Sequence, residues 1–220
     1  MLLADGPDVV RQLAVGLATG LFLFLLVRFS SVSGVQVVTA MLIATAGELF
    51  LSLVWGLYTY HWAAVPYYVP FGHGIFYGLA AESSRQAWLR KYEPLVVRIA
   101  LLSGTAIAIA SLGTAKDTWG GLWWIGAALL ISQNRSRLLF SMCFFYTMIL
   151  EWIGTAIGNW QWAADVPFLH FTSANPPSGV GILYCLLDLF TVSVCATAFV
   201  ERMAGKTAAP REKLCELEAA

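Results

Sequence analysis

Charged residues are scarce in this sequence, and their scarcity excludes an ordinary soluble protein. Asp, Glu, Lys and Arg make up 12% of the 220 residues, whereas 59% are hydrophobic. Soluble domains have about 25% charged and about 45–50% apolar residues. The formal net charge is zero, and no run of Lys and Arg suits a nucleic-acid groove. We therefore predict an integral membrane protein with no nucleic-acid partner.

Cofactor motifs are also missing. The chain has neither the G-x-x-x-x-G-K-[ST] loop of nucleotide hydrolases nor the G-x-G-x-x-G turn of dinucleotide enzymes. Its three histidines and four cysteines are not spaced as metal ligands or as a C-x-x-C pair. The last apolar segment, 178–202, contains no Lys, which excludes the Schiff base of a rhodopsin. We predict chemistry that needs no metal, nucleotide or other cofactor.

What the chain does contain is a series of seven apolar segments, each near the roughly 20 residues that cross a bilayer as a helix. These segments are 9–29, 34–57, 68–86, 95–115, 118–133, 137–158 and 178–202. If all seven cross, eleven of the thirteen Lys and Arg residues lie on one side, and only Arg11 and Lys116 lie on the other. Because cytoplasmic loops are rich in basic residues, we place the amino terminus outside and the carboxyl terminus in the cytoplasm.

The predicted fold is therefore all-α. One transmembrane domain of seven helices covers residues 1–205, and a cytoplasmic tail covers 206–220. We expect a multi-pass protein of a bacterial inner membrane or of the endoplasmic reticulum, in contact with membrane lipid. Asp117 lies at a predicted helix end, where we expect it to be solvated.

Two halves of the chain resemble each other. YHWAAVP at 60–66 matches WQWAADVP at 160–167, with Trp62 aligned on Trp162, and PFGHGIFY at 70–77 matches PSGVGILY at 177–184. The matching stretches predict two repeat units, about 9–86 and 118–202, joined by a linker helix at 95–115. Corresponding segments of the two units are four positions apart in the series of seven, so both units enter the membrane in the same direction. This is a parallel 3+1+3 repeat, an arrangement that often places the working site between the units.

Three acidic residues interrupt the apolar segments: Glu48, Glu151 and Asp188. Counting about 1.5 Å per helical residue from the nearest interface puts them roughly 15 Å deep, near the bilayer centre. No Lys or Arg lies in the central part of any segment, and an unpaired carboxylate in hydrocarbon is costly and more often takes up a proton. We predict that these three residues share one chamber and are catalytic, as proton donors or as stabilisers of a cation. The alternative is that they form hydrogen bonds to neighbouring helices and hold the bundle together.

Aromatic and polar residues near the acids are candidates for substrate binding, because ring faces stabilise a carbocation and polar groups orient a head group. The candidates are Trp55, Tyr58, His73, Tyr77, Tyr146, Trp152, Trp160, Asn175 and Tyr184. Packing between helices and anchoring at the membrane interface remain open for each aromatic residue. A plain hydrogen bond remains open for His73, and a helix cap for Asn175.

Short motifs around the acids resemble two families of membrane proteins. Glu48 in AGELF and Asp188 in LLDLF resemble the early Glu and the late Asp of membrane-integral terpene cyclases of the fungal meroterpenoid type. The stretch EWIGTAIGNWQW, with Glu151, Gly154 and Gly158, is similar to the E-x-x-G-x-x-x-G stretch of carotenoid hydratase-type membrane proteins. The resemblance implies a hydrophobic isoprenoid or lipid-like substrate. It also implies protonation of an epoxide or alkene, followed by cyclisation.

Three functions stay open at this point. The first is an acid/base enzyme acting on isoprenoids, a cyclase, hydratase or isomerase, in which Glu48 or Asp188 protonates the substrate, the other holds the counter-charge, and Glu151 tunes the pair. The second is a proton-coupled carrier of small solutes with 3+1+3 topology. The third is an assembly partner in a larger membrane complex.

Overall fold

The protein is mostly helical. The computed structural model describes residues 2–4, 8–62, 64–133 and 136–208, with side chains as far as Ala198. A short 3₁₀ turn, Leu2–Ala4, precedes the first helix. The remaining described elements, in chain order, are α1 (Val9–Phe29), α2 (Gly34–Leu49), a π-helical segment (Phe50–Val54), β1 (Tyr58–Tyr60), α3 (Val69–Arg85), α4 (Ala87–Lys91), α5 (Glu93–Ala115), α6 (Thr118–Gln133), α7 (Arg137–Ala156), β2 (Trp160–Trp162) and α8 (Ile182–Ala208).

Four helices in the described part of the chain are long and apolar enough to cross a membrane. They are α1, α2 together with the π-helical segment, α5 and α7. Helices α3 and α6 are shorter, with 17 and 16 residues, as is the apolar part of α8, Ile182–Ala198. Every predicted apolar segment is helical, whereas the short helix α4 was not predicted. From residue 209 onward, the predicted tail lies outside the described residues.

Local sequence accounts for several helix ends. At the start of α1, the Asp8 carboxylate accepts hydrogen bonds from the backbone N–H groups of Val10 and Arg11. At the start of α2, the Ser33 hydroxyl accepts one from the N–H of Gln36. These side chains satisfy donors that the first turn of a helix leaves without a partner. Proline stands in the first turn of both α3 and α5, where its missing N–H costs nothing.

Helices α2, α3, α7 and α8 form a ring at the centre of the fold. Helix α2 packs against α3 and α8, and α7 packs against the same two helices. Helix α1 packs on α3, while α5 and α6 pack on α7. Glycine permits a close approach at one of these contacts, since a Cβ on Gly74 of α3 would lie 2.9 Å from Leu23 of α1. The ring leaves room for a cavity between its four members.

Two short strands join the ends of α2 and α7. β1 and β2 pair antiparallel, with Tyr58 opposite Trp162 and Tyr60 opposite Trp160. Each strand follows a glycine with positive φ, Gly56 at 77° and Gly158 at 76°, a conformation that favours glycine. The turn at each glycine directs the chain back across the end of its helix. Alternate strand residues point to opposite faces, and in both strands the outer two residues are buried while the middle one is exposed.

Asp117 is fully buried, so the expectation that it is solvated was wrong. Its Oδ1 accepts hydrogen bonds from the backbone N–H of Gly120 at 3.0 Å and of Ala174 at 2.9 Å, and its Oδ2 accepts one from the N–H of Ser178 at 2.8 Å. The carboxylate therefore joins the first turn of α6 to the loop that precedes α8. Two of its three partners are more than fifty residues away in the chain, which is why its burial could not be read from local sequence.

Candidate functional site

The ring of α2, α3, α7 and α8 encloses a cavity of about 270 Å³, to which β1 and β2 also contribute residues. Most of its lining is apolar, and none of its described lining residues is Lys or Arg. Two of the three predicted acids, Glu48 and Glu151, line this cavity. The other lining residues with a polar atom in the side chain are Tyr58, Tyr60, Tyr68, His73, Thr147, Trp160, Trp162 and Tyr184.

Glu48 is buried in the last turn of α2, where it is surrounded by hydrogen-bond donors. Its Oε1 accepts hydrogen bonds from the phenol Oη of Tyr58 at 2.7 Å and of Tyr60 at 2.5 Å. Its Oε2 lies 3.1 Å from Nε2 of His73, a distance at which a protonated Nε2 donates. The π-helical segment begins two residues after Glu48, and such segments are frequent at functional sites. Both carboxylate oxygens are therefore occupied.

His73 connects Glu48 to helix α8. Its Nδ1 lies 2.8 Å from the phenol Oη of Tyr184. With a proton on Nε2, the imidazole donates to Glu48 and accepts from Tyr184 through Nδ1. Side chains from α2, α3 and α8 thus form one chain of hydrogen bonds. A proton can move along such a chain, since phenol, imidazole and carboxylate all gain and lose protons.

Glu151 lies on α7 and has a different set of partners. Its Oε2 accepts hydrogen bonds from the indole Nε1 of Trp160 at 2.8 Å and of Trp162 at 2.9 Å. No described residue donates a hydrogen bond to its Oε1. The indole of Trp160 packs directly on Gly154, one helical turn after Glu151, where any side chain would collide with it. Glu151 is therefore held by one oxygen, and the other is available for a proton or a ligand.

The phenols on β1, outside the membrane helices, remain hydrogen-bond donors over a wide pH range. Burial, together with the nearby Glu48 carboxylate, holds the pKa of the Tyr58 and Tyr60 phenols well above their ordinary value. Both phenols therefore keep their protons at physiological pH. This keeps Oε1 of Glu48 supplied with two donors.

Asp188 does not line the cavity of Glu48 and Glu151, which corrects the expectation that the three acids share one chamber. It lines a neighbouring cavity of about 400 Å³ together with Tyr77, Arg85 and Arg90. Oη of Tyr77 donates a hydrogen bond to Oδ1 of Asp188 at 3.3 Å. Asp188 follows Tyr184 by four residues on α8, and its partner Tyr77 follows His73 by four residues on α3. The Tyr77–Asp188 pair therefore lies one helical turn further along both helices than the His73–Tyr184 contact, and the predicted equal depth of the three acids was wrong.

The predicted substrate-binding residues divide into two groups. Tyr58, His73, Trp160 and Tyr184 line the cavity with the two glutamates, and Tyr77 lines the neighbouring cavity. The other four line neither of these cavities and serve elsewhere in the fold. Nε1 of Trp55 donates to the carbonyl of Pro167 at 3.0 Å, Oη of Tyr146 lies 2.7 Å from Oγ of Ser83, Oδ1 of Asn175 accepts from the N–H of Trp162 at 3.0 Å, and Trp152 is 47% exposed.

Sequence analysis missed two donors, Tyr60 and Trp162. The signal was present as GLYTY at 56–60 and GNWQW at 158–162, in which a glycine precedes two aromatic donors separated by one residue. The prediction aligned Trp62 with Trp162 instead. By its role as a donor to the carboxylate, Tyr60 is the counterpart of Trp162, and Trp62 is 39% exposed outside the cavity.

Comparison of the chain with protein-family models, with curated proteins and with solved structures finds no match. Its function is therefore argued from the cavity and its residues.

Proposed function

We propose that this protein is a membrane-embedded acid/base enzyme that protonates an alkene or epoxide of a hydrophobic isoprenoid, as a cyclase, hydratase or isomerase does. The observation that carries the proposal is the pair of carboxylates in one apolar cavity, one with both oxygens occupied by donors and the other with one oxygen to which no described residue donates. Two carboxylates in the same apolar cavity are costly to ionise together, so one of them retains a proton.

Glu151 is the proton donor in this proposal. Its free Oε1 can carry a proton and contact a substrate, whereas its Oε2 is fixed by two indoles. Transfer of that proton to an alkene carbon or an epoxide oxygen leaves Glu151 as a carboxylate and the substrate as a cation. This differs from the roles predicted from sequence, where Glu48 or Asp188 was the donor and Glu151 only adjusted the pair.

Glu48 holds the counter-charge. Its three partners are those that an ionised carboxylate requires, because such a carboxylate accepts hydrogen bonds and donates none. The negative charge stabilises the substrate cation across the cavity. The ring faces of Tyr58, Trp160 and Tyr184 line the same space and add cation–π attraction. The reaction ends when the cyclised cation loses a proton to the Glu48 carboxylate, or when water attacks the cation and Glu48 accepts the proton that this water releases. Glu151 then regains a proton before the next turnover.

The seven-span parallel repeat remains part of the proposal. Its support is the similar arrangement of the two halves. In each half, a helix carries a glutamate, a glycine with positive φ follows, and two alternate aromatic residues donate to that glutamate. The packing is consistent with it, since α2 and α7 each contact both α3 and α8. We propose α1–α3 and α6–α8 as the two units, with α5 as the linker and the amino terminus outside.

The test is product formation by the full-length protein in lipid nanodiscs, supplied with a panel of uncharged prenylated alkenes and epoxides. Wild-type protein is expected to yield a product with a changed ring count, an added water or a moved double bond, read by mass spectrometry and NMR. Both Glu151→Gln and Glu48→Gln should lower conversion by about 10²–10⁴-fold. Glu82→Gln is the control, because Glu82 binds Ser31 away from the cavity. Full activity in both cavity variants contradicts the proposal.

A proton-coupled carrier of small solutes is the second candidate. The observation that favours it is the position of the cavity between the two halves, where carriers built from repeats bind solute. The same panel distinguishes the two functions in proteoliposomes. Uptake of a compound that is recovered chemically unchanged supports the carrier, and a converted compound supports the enzyme.

A further inference from the structure

The cavity has one wall that differs from the others. Between α2 and α8, several lining residues are also exposed on the outer surface of the protein. Gly47 and Ala44 of α2 are half-buried, and Phe190 of α8 is 58% exposed. On α3 and α7, no described lining residue is exposed: Gly72 and Thr147 are buried, and the others are buried or half-buried. The cavity therefore reaches the protein surface along the seam between α2 and α8.

Gly47 marks an open place in this wall. A Cβ added at Gly47 would meet no atom within 4 Å, although the residue lines the cavity and directly precedes Glu48. Glycine inside a helix costs about 1 kcal/mol relative to alanine. Gly74 offsets such a cost by close packing, since its Cβ would lie 2.9 Å from Leu23. Gly47 has no such contact, so its small size has no packing function in this helix.

The surface around this open place is apolar. Leu42 of α2 is 62% exposed, and Phe50, just after α2, is 51% exposed. Val194 of α8 is 50% exposed. In a protein whose helix α2 crosses a membrane, such residues face lipid chains rather than water. A molecule that arrives at Gly47 therefore arrives from the hydrocarbon part of the bilayer.

We infer that the seam between α2 and α8 at Gly47 is a lateral entrance, through which an uncharged isoprenoid passes directly from the bilayer into the cavity. This inference rests on the proposed function and narrows its substrate class. Two carboxylates and no described Lys or Arg line the cavity, so a prenyl diphosphate would meet repulsion with no cation to offset it. A neutral alkene, epoxide or alcohol meets no such penalty. The entrance opens beside Glu48, at the depth of the reacting groups.

The experiment uses a photoreactive probe and the full-length protein in nanodiscs. The probe is an uncharged prenyl alcohol of farnesyl length that carries a diazirine, and its diphosphate ester is the comparison probe. After irradiation, mass spectrometry locates the label on peptides. The alcohol should label cavity residues within 147–162 of the wild-type protein, and the diphosphate should not. Gly47→Leu should lower this labelling by about tenfold, equivalent to roughly 1.4 kcal/mol.

The chain offers a matched control in Gly113. It lies within α5, its Cβ would also meet no atom within 4 Å, and it does not line the cavity. Gly113→Leu should label like the wild type, so a loss confined to Gly47→Leu reports blockage rather than a general effect of leucine in a helix. Ala44→Leu, on the same half-buried wall, is a second blocking variant if Gly47→Leu does not fold.

Three results would overturn the entrance. In the first, the alcohol labels the cavity of folded Gly47→Leu and Ala44→Leu as strongly as that of the wild type. In the second, the diphosphate labels the wild-type cavity as strongly as the alcohol does. In the third, the alcohol does not label the wild-type cavity. Glu151→Gln separates the entrance from the chemistry, because it should keep its labelling while it loses conversion. If labelling follows the expected pattern but no panel compound is converted, the entrance stands and the enzymatic proposal fails.

Discussion

The two glutamates of the cavity have similar surroundings in geometry and different ones in chemistry. Each follows the same plan of helix, positive-φ glycine and two alternate aromatic donors. Around Glu48 the donors are phenols, and an imidazole is added, whereas around Glu151 both donors are indoles. Phenol and imidazole exchange protons, but an indole N–H only donates a hydrogen bond. The same backbone arrangement thus holds Glu48 by groups that can exchange protons and Glu151 by groups that only position it.

A single residue accounts for part of this difference. In the predicted alignment of PFGHGIFY with PSGVGILY, His73 of the first half stands opposite Val180 of the second. Val180 is fully buried and lines the same cavity. The imidazole that contacts Glu48 therefore has no counterpart at the matching position near Glu151. The four predictions below test this asymmetry, beginning with the largest expected effect.

Replacing His73 by the residue of the other half should have the largest effect. His73→Val breaks the chain of hydrogen bonds between Tyr184 and Glu48. Steady-state conversion should fall by about 10²–10⁴-fold, the usual contribution of a positioned proton-transfer group. A single turnover should be less affected, because Glu151 still carries its proton when the substrate binds, and the chain through His73 acts only between turnovers, when it carries away the proton that Glu48 has accepted. Rapid-quench measurement of the first turnover separates these rates, and an equal loss in both would contradict a relay role for His73.

Removal of one donor from each glutamate should lower stability. Tyr60→Phe removes a hydrogen bond to Glu48, and Trp162→Phe removes one to Glu151. Loss of the bond to the ionised Glu48 should cost about 1.5–3 kcal/mol. Loss of the bond to the protonated Glu151 should cost about 0.5–1.5 kcal/mol, to which the ring volume removed by Trp162→Phe adds. Thermal unfolding in detergent measures the change. Thr59→Val and Gln161→Val are controls, because these strand residues are exposed and should shift the midpoint little.

Asp188→Asn should have a smaller effect on conversion than either glutamate variant. Asp188 lines the neighbouring cavity and binds Tyr77, so it does not touch a substrate between Glu48 and Glu151. We expect a loss of no more than about tenfold, below the usual range for a group that transfers the proton. Conversion by Asp188→Asn and by Glu151→Gln is measured on the same substrate. If Asp188→Asn lowered conversion as much as Glu151→Gln, Asp188 would have to be assigned a catalytic role, as the sequence predicted.

Alkaline pH should reveal the smallest difference. The pKa values of Tyr58 and Tyr60 are raised in the folded protein, so the unfolded chain releases these protons first as the pH rises. Their stabilising effect is present below about pH 10, the ordinary value for Tyr, and is lost above it. The unfolding midpoint of the wild type should fall above that pH. The Tyr58→Phe, Tyr60→Phe double variant should show a shallower fall, and identical slopes would contradict the assignment.

Sequence analysis located the helices well because long apolar runs are a local property. Each predicted apolar segment is helical, and two of the three predicted acids line the central cavity. Each of these two glutamates is a single acidic residue within an apolar run, so its position inside the helix bundle could be predicted from local sequence. The short helix α4 was not predicted, since no apolar run marks it. The π-helical form of Phe50–Val54 was not predicted, because these residues lie inside the apolar segment 34–57 and hydrophobicity does not distinguish a π-helix from an α-helix.

The failures concern contacts between distant residues. Asp188 was grouped with the glutamates because a similar depth was predicted for all three, but it lies one helical turn beyond Tyr184 and lines another cavity. Asp117 is buried by partners more than fifty residues away. Tyr60 and Trp162 were missed because the alignment was anchored on Trp62, whereas the hydrogen bonds and the two positive-φ glycines align Tyr60 with Trp162.

The pairing of β1 with β2 also limits how the molecule can move. The three residue pairs link the end of α2 to the end of α7, and the same strands carry all four aromatic donors of the two glutamates. Separation of the two halves at this end would break the hydrogen bonds between β1 and β2. It would also remove hydrogen-bond donors from Glu48 and Glu151 at the same time. A rocking motion that opened the cavity at this end would therefore disrupt the hydrogen bonds of the two glutamates. The paired strands therefore hold this end of the two helices together. A substrate has to reach the two glutamates by a path that leaves the strand pairing intact.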